Sequence, residues 1–311
     1  MTCRLRLILL FALVSMPAPA LASAPQPLTI DAGQQLQFAD TLFSQQQYRR
    51  AGEEYQRFAF FFPQDPRQRQ TRFKAGRAFL LAQDTLTAMD LFKQLAEQGL
   101  SDTIAVESYF MLVECHLQMH DPTNAVVEMN NLIRLSSDSG IRDRAYHRLG
   151  WLYIDQTDWA AAQNAFAKVS AAQRGRYHVD ELERELSDTS RLPSRSPGLA
   201  GALSLVPGAG QFYCQRYEDA LIAFAVNIGL FWAAHDAFDQ DQYALGGLLS
   251  FVGLGFYAGN IYSAVGDAHK FNQRQKQRFA ESLKRYLIVG SAPPGDAAIL
   301  PQPLLSFQVR F

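Results

Sequence analysis

Acidic and basic residues are missing from three long stretches of this chain: Ser196 to Gln215, Ala220 to Ala234 and Gln242 to Gly266. Cysteine is almost as scarce. Of three, Cys3 lies at the extreme N-terminus, and Cys115 and Cys214 sit in different segments, which excludes a disulfide-stapled framework. An excess of one charge is also absent. With 29 basic against 30 acidic residues the net charge is -1, so there is no overall electrostatic case for nucleic acid. No Gly-x-Ser-x-Gly nucleophile elbow occurs, and the Pro207-Gly208-Ala209-Gly210 turn is followed by Gln211 and Phe212, without the lysine of a phosphate loop. His116 and His120 have metal-ligand spacing but no glutamate in the zincin order, and Glu53-Glu54 and Glu181, Glu183 and Glu185 are carboxylate pairs only in sequence, since adjacent residues diverge around a helix. These absences point away from an enzyme, with no catalytic, cofactor-binding or metal-binding residue assigned.

What is present begins with residues 1–24. Arg4 and Arg6 precede the apolar run Leu7 to Val14, and Ala20-Leu21-Ala22 or Ala22-Ser23-Ala24 offers a small-x-small cleavage site. This is the pattern of a secretory signal peptide, and the run is short for a membrane span. Export from the cytoplasm is therefore expected, with the mature chain starting near Ser23 or Pro25. No cysteine follows the run, so a lipid-modified start is not expected.

The next 140 or so residues repeat. Ala51, Ala88, Ala125 and Ala162 share one position of a fixed period; Tyr55, Phe92, Met129 and Phe166 follow four residues later, and Phe58, Leu95, Leu132 and Val169 three after that. Leu42, Phe79, His116 and Tyr153 precede the alanines by one constant interval, and Leu149-Gly150-x-x-Tyr153 is the fullest copy of that half. Such spacing puts large residues on one face of each of two helices, with the small alanine letting them approach. Breaks fall at Phe62-Pro63-Gln64-Asp65-Pro66, Asp121-Pro122-Thr123 and Gln156-Thr157-Asp158.

The segments "QQYRRAGEEYQRFAFFFPQDP" and "YHRLGWLYIDQTDWAAAQNAF" resemble the tetratricopeptide repeat, and the long period and Pro-terminated first unit are similar to envelope repeat proteins of the BamD-like type. The resemblance covers residues 33–172 in about four repeats; in the middle units Val113 and His116 stand where Gly and Tyr are usual. It implies an all-α helical solenoid whose concave face binds proteins or peptides, with Tyr48, Arg49, Arg50, Arg67, Arg69 and Arg72 either as contacts or as a solvated face. Residues 173–197 read as a polar capping helix and linker.

Residues 198–270 read as a hydrophobic hairpin. Gln242 to Gly266 would make about 37 Å of helix, enough for a hydrocarbon core of ~30 Å, whereas Ala220 to Ala234 needs Tyr217 and Phe238 to extend it. Gly253, Gly255 and Gly259 would allow close helix contact, and Gly255 and Gly259 have the small-x-x-x-small spacing. Pro207, Gly208, Gly210, Gln211 and Tyr213 resemble the signature of a two-span membrane domain, Pro-Gly-x-Gly-Gln-x-Tyr before a hairpin; the Gly that usually follows the Tyr is replaced by Cys214-Gln215. That resemblance implies transmembrane topology and little chemistry. A buried hairpin of a soluble domain is the alternative. Residues 271–289 form a basic helix after the last span, the reverse of what a positive-inside rule expects for an exported chain. In the tail, 290–311, Leu305, Phe307, Val309 and Phe311 alternate with polar residues, as in a short strand or an unstructured end. The whole reads as a non-enzymatic, membrane-associated scaffold of the bacterial cell envelope with its repeats in the periplasm, or as a soluble periplasmic binding module whose apolar hairpin docks on a partner; protein partners and membrane lipid are expected, nucleic acid and small-molecule substrates are not.

Overall fold

The computed structural model describes residues 31–100 and 102–290; the proposed signal peptide and the alternating C-terminal segment lie outside them. Among the described residues all regular structure is helical. Eight helices come first, in four antiparallel pairs: α1 (Ala32–Ser44) with α2 (Tyr48–Phe61), α3 (Gln68–Leu81) with α4 (Thr85–Ala96), α5 (Thr103–Gln118) with α6 (Pro122–Leu135), and α7 (Ser139–Asp155) with α8 (Trp159–Phe166). Each packs on its neighbours in sequence, so the pairs form a continuous stack.

Local chemistry fixes the turns inside these pairs. Gln46, Gln83, His120 and Thr157 all have positive φ, between 57° and 61°. Each follows the end of a first helix, and the next residue donates its N–H back to Leu42, Phe79, His116 or Tyr153, the bond of a Schellman cap. In three pairs that next residue, Asp84, Asp121 or Asp158, also accepts an N–H of the second helix through its carboxylate. One residue thus ends one helix and starts another, which sets a tight turn.

Packing follows from the same period. Ala51, Ala88, Ala125 and Ala162 have no exposed surface, and Tyr55, Phe92, Met129 and Phe166 are at most 2% exposed. A Cβ added to Gly76 would lie 2.8 Å from the Phe92 ring, and one on Gly150 would collide with Phe166. At the equivalent place in the third pair Val113 is fully buried in the same cluster as Met129. A flat ring needs the glycine; a flexible methionine accommodates valine.

After α8 come the short α9 (Ala171–Arg174) and α10 (Val179–Ser187). The expected polar cap is amphipathic: Val179, Leu182 and Leu186 are buried against Trp151 and Phe166. The remainder is α11 (Pro197–Leu203), α12 (Ala209–Tyr213), α13 (Tyr217–Asp239), α14 (Tyr243–Leu283) and α15 (Arg285–Gly290). The boundary expected at residue 270 falls inside α14: no proline interrupts the sequence between the apolar run and the basic segment, and Gly266 and Asp267 remain helical. The end of α14 reaches the repeat stack: Ala280 and Leu283 join the Trp151 and Leu182 core, Phe279 packs edge-on against Trp159, and Arg285 pairs with Glu185.

Candidate functional site

The signature residues meet where α11, α12, α13 and α14 converge. Pro207-Gly208 separates α11 from α12, and Gly208 takes φ +85°, with its Cα so close to the Ala220 carbonyl that no side chain fits. Gly210 is equally constrained: a Cβ there would enter the space of Ser204 Oγ, the Ala200 carbonyl and Ala264. The two glycines let α12 lie directly on its neighbours, which buries Gln211 to 2% exposure.

Gln211 then ties the segments together. Its Nε2 donates to the Asn260 carbonyl at 3.0 Å and to Asn260 Oδ1 at 2.8 Å, and Asn260 Nδ2 donates to the Ser204 carbonyl at 3.4 Å. Tyr213 works at the other end of α12. Its hydroxyl accepts the Ser196 N–H at 3.2 Å, and its ring lies 4.7 Å from the Arg195 guanidinium, which is also 5.3 Å from Phe271. Gln215 occupies φ +64°, the conformation for which glycine is favoured, two residues after Tyr213. Arg216 bridges the hairpin: Nη1 donates to Asp267 Oδ1 at 3.0 Å while Nε pairs with Asp219. Asp267 is 2% exposed.

Two buried acceptors, Gln211 Oε1 and Asn227 Oδ1, have no hydrogen-bond partner among the described residues. Gln211 and Asn227 line a groove of about 650 Å3 between α13 and α14, with Arg216, Asp267 and Lys270 toward one end and Val252 and Phe256 toward the other. Gly255 and Gly259 line this groove rather than a helix contact, since a Cβ on either meets nothing within 4 Å. Of the three expected contact glycines it is Gly253 that faces α13, where an added Cβ would meet Leu230 at 3.7 Å, and a Cβ on Gly246 would lie 2.8 Å from the Phe238 ring.

Outside this polar interior the hairpin is apolar. Trp232, Phe251 and Tyr262 are 74%, 76% and 83% exposed, and Leu221, Phe224, Leu248, Leu254 and Phe256 join them. Both α13 and α14 are long and apolar enough to cross a membrane by length and composition.

In the repeats, the arginines picked out from the sequence are engaged: Arg49 with Asp84, Arg67 with Asp65, Arg69 with Asp102, Arg50 with Gln47 and Arg72 with Gln94. Arg77, on α3, is half-buried and makes no ion pair among the described residues; burial pushes its pKa down, with Tyr55 nearby partly offsetting this. His116 lies 3.7 Å from Glu128 and 3.9 Å from Asp121, while His120 occupies a positive-φ turn, and no group of three or more metal-capable side chains occurs among the described residues. Burial pushes the Cys115 thiol up to about 12, which suppresses its thiolate.

Sequence reasoning missed Asn227, Asn260, Arg195 and the Arg216–Asp267 pair. Asn227 and Asn260 carried a signal, being polar residues inside uncharged runs; their partners, remote in sequence, did not. No protein-family model matches the chain, and no curated protein matches it.

Proposed function

We propose that this chain is a non-enzymatic scaffold of the bacterial cell envelope, in which a tetratricopeptide solenoid is held at a membrane by the α13–α14 hairpin. The observation that carries this reading is the inverted hairpin: its interior positions are Ala220, Asn227, Ala234, Gly253, Asn260 and Ala264, while its large apolar side chains point outward. A soluble protein buries such side chains, and a bilayer solvates them; small residues at the helix contact are what lipid-embedded helices use. The solenoid side rests on the repeated core and caps. Its concave face would take protein or peptide partners in envelope assembly, secretion or transport, and the half-buried Arg77 is a candidate anchor for a partner carboxylate.

The test is alkaline carbonate extraction of membranes carrying the tagged full-length chain, followed by separation of inner from outer membrane. Retention in the pellet is expected. Release into the carbonate supernatant would instead favour a soluble periplasmic module whose apolar hairpin docks on another protein.

A further inference from the structure

We infer that the stretch of α14 just beyond the hairpin binds the phosphate groups of anionic phospholipids; the inference rests on the hairpin spanning a membrane. From Ala268 to Ala280 there is no acidic residue, and Lys270, Arg274, Lys276 and Arg278 are all exposed. Three of them, Lys270, Arg274 and Arg278, recur every fourth residue and so form one stripe about 12 Å long on the helix. None of the four makes an ion pair among the described residues. In the repeats some cations are likewise without carboxylates, Arg77 among them, but Arg57, Lys74, Arg144 and Arg148 have carboxylate partners.

Like charges one turn apart weaken a helix, so an unpaired stripe costs stability unless an anion meets it. Its place supplies the anion. The stripe starts immediately after the uncharged run Gln242 to Gly266, which puts it at headgroup depth. Arg195 adds a fixed cation at the same level. Its backbone N–H donates to Asn272 Oδ1 at 2.7 Å and its carbonyl accepts from Asn272 Nδ2 at 2.9 Å, between Lys270 and Arg274 in the helix. The Arg195 guanidinium is held beside Tyr213 and Phe271, and its Nε is buried without a hydrogen-bond partner among the described residues. Signature residue Tyr213 thereby presents a phosphate-binding arginine to the bilayer surface. A cluster of this kind follows the chemistry of juxtamembrane polybasic segments, whichever side of the membrane it occupies.

The experiment uses the full-length chain reconstituted in phosphatidylcholine bilayers with trace spin-labelled phosphatidylglycerol or phosphatidylcholine, reading the lipid fraction immobilised at the protein. We expect phosphatidylglycerol to be preferred by about fivefold or more, and the preference to fall toward parity in high salt and in the triple variant K270Q/R274Q/R278Q. That variant removes repulsion from the helix, so it should fold, and circular dichroism checks this. R195Q should lower the preference too, but it also strips a ring partner from Tyr213, so the triple variant decides. An equal response of the two lipids, or a preference that survives the triple variant, would overturn the inference while leaving the spanning hairpin intact. If neither lipid is immobilised, the hairpin is not in the bilayer and the membrane reading falls first.

Discussion

The two halves of the chain bury opposite kinds of residue with the same secondary structure. In the repeats Tyr55, Phe58, Phe92, Phe166 and Trp151 are inside, at 2% exposure or less; in the hairpin the inside holds Ala220, Asn227, Ala234, Asn260 and Ala264, while Phe251 and Trp232 are outside. Helix formation does not separate the two regions, and neither do the turns. Gln215 and Asp241 in the second half take the same left-handed conformation as Gln46, Gln83, His120 and Thr157 in the first. What differs is what each surface offers its surroundings: the first half buries its aromatic area as a chain folding in water does, whereas the second packs small residues and a few internal hydrogen bonds inside and turns its large apolar side chains outward, the arrangement that the proposed membrane hairpin requires.

The largest effects should come from swapping the same change between the halves. Phe166→Ala or Phe92→Ala empties a fully buried site and is expected to cost the repeats about 3–5 kcal/mol in denaturant unfolding. Phe251→Ala, at a site 76% exposed, should leave the hairpin's unfolding in detergent almost unchanged. A large loss at Phe251 would mean that its outward face is packed on something, and the comparison would break.

Next is the charge pair in the hairpin. Arg216→Gln leaves the Asp267 carboxylate, 2% exposed, without its cation and is expected to destabilise the hairpin by about 3 kcal/mol. Asp267→Asn on that background should restore part of the loss. A double-mutant cycle without coupling would show that the pair contributes nothing to holding α13 on α14.

Where the halves join, pH should discriminate. His147 stacks on Tyr177 at 4.4 Å and accepts the Trp151 Nε1–H at 3.0 Å through Nε2, so the folded protein holds it neutral. Burial among these rings dominates, Arg148 and His178 add repulsion, and its pKa falls from 6.5 to about 3. The unfolded state therefore binds the extra proton as pH falls below 6.5, and stability should drop by up to about 1.4 kcal/mol per pH unit from there toward 3. His147→Gln should flatten that part of the profile, measured as the difference between the two proteins so that carboxylate titrations cancel.

How much of this was legible depended on the range of the interaction. The repeat core is written in a fixed period, so Ala51, Tyr55, Ala88 and Phe92 could be placed from the sequence, and the uncharged runs marked both long helices. The polar joint was only half legible. Pro207, Gly208, Gly210, Gln211 and Tyr213 announce it as a motif, yet Gln211 acts on Asn260 and Arg216 on Asp267, each about fifty residues away with no intervening period. Gly255 and Gly259 show the opposite failure. Their spacing suited a helix contact, but spacing does not say which face of α14 meets α13, and the face they occupy lines the groove.

That misplacement gives the finest test of the contrast, because one substitution should have opposite signs in the two halves. Alanine is about 1 kcal/mol better than glycine inside a helix when nothing obstructs its Cβ. At Gly150 the Cβ would collide with the Phe166 ring, which is fully buried and cannot swing away, so Gly150→Ala should lose about 1–3 kcal/mol despite the propensity gain. At Gly255 and Gly259 the space is open, and alanine should be neutral or stabilising by up to about 1 kcal/mol in thermal unfolding in detergent. A loss at Gly255 comparable to that at Gly150 would return it to a helix contact, made in the bilayer with α13 or with a second chain, and the groove would then be an interface.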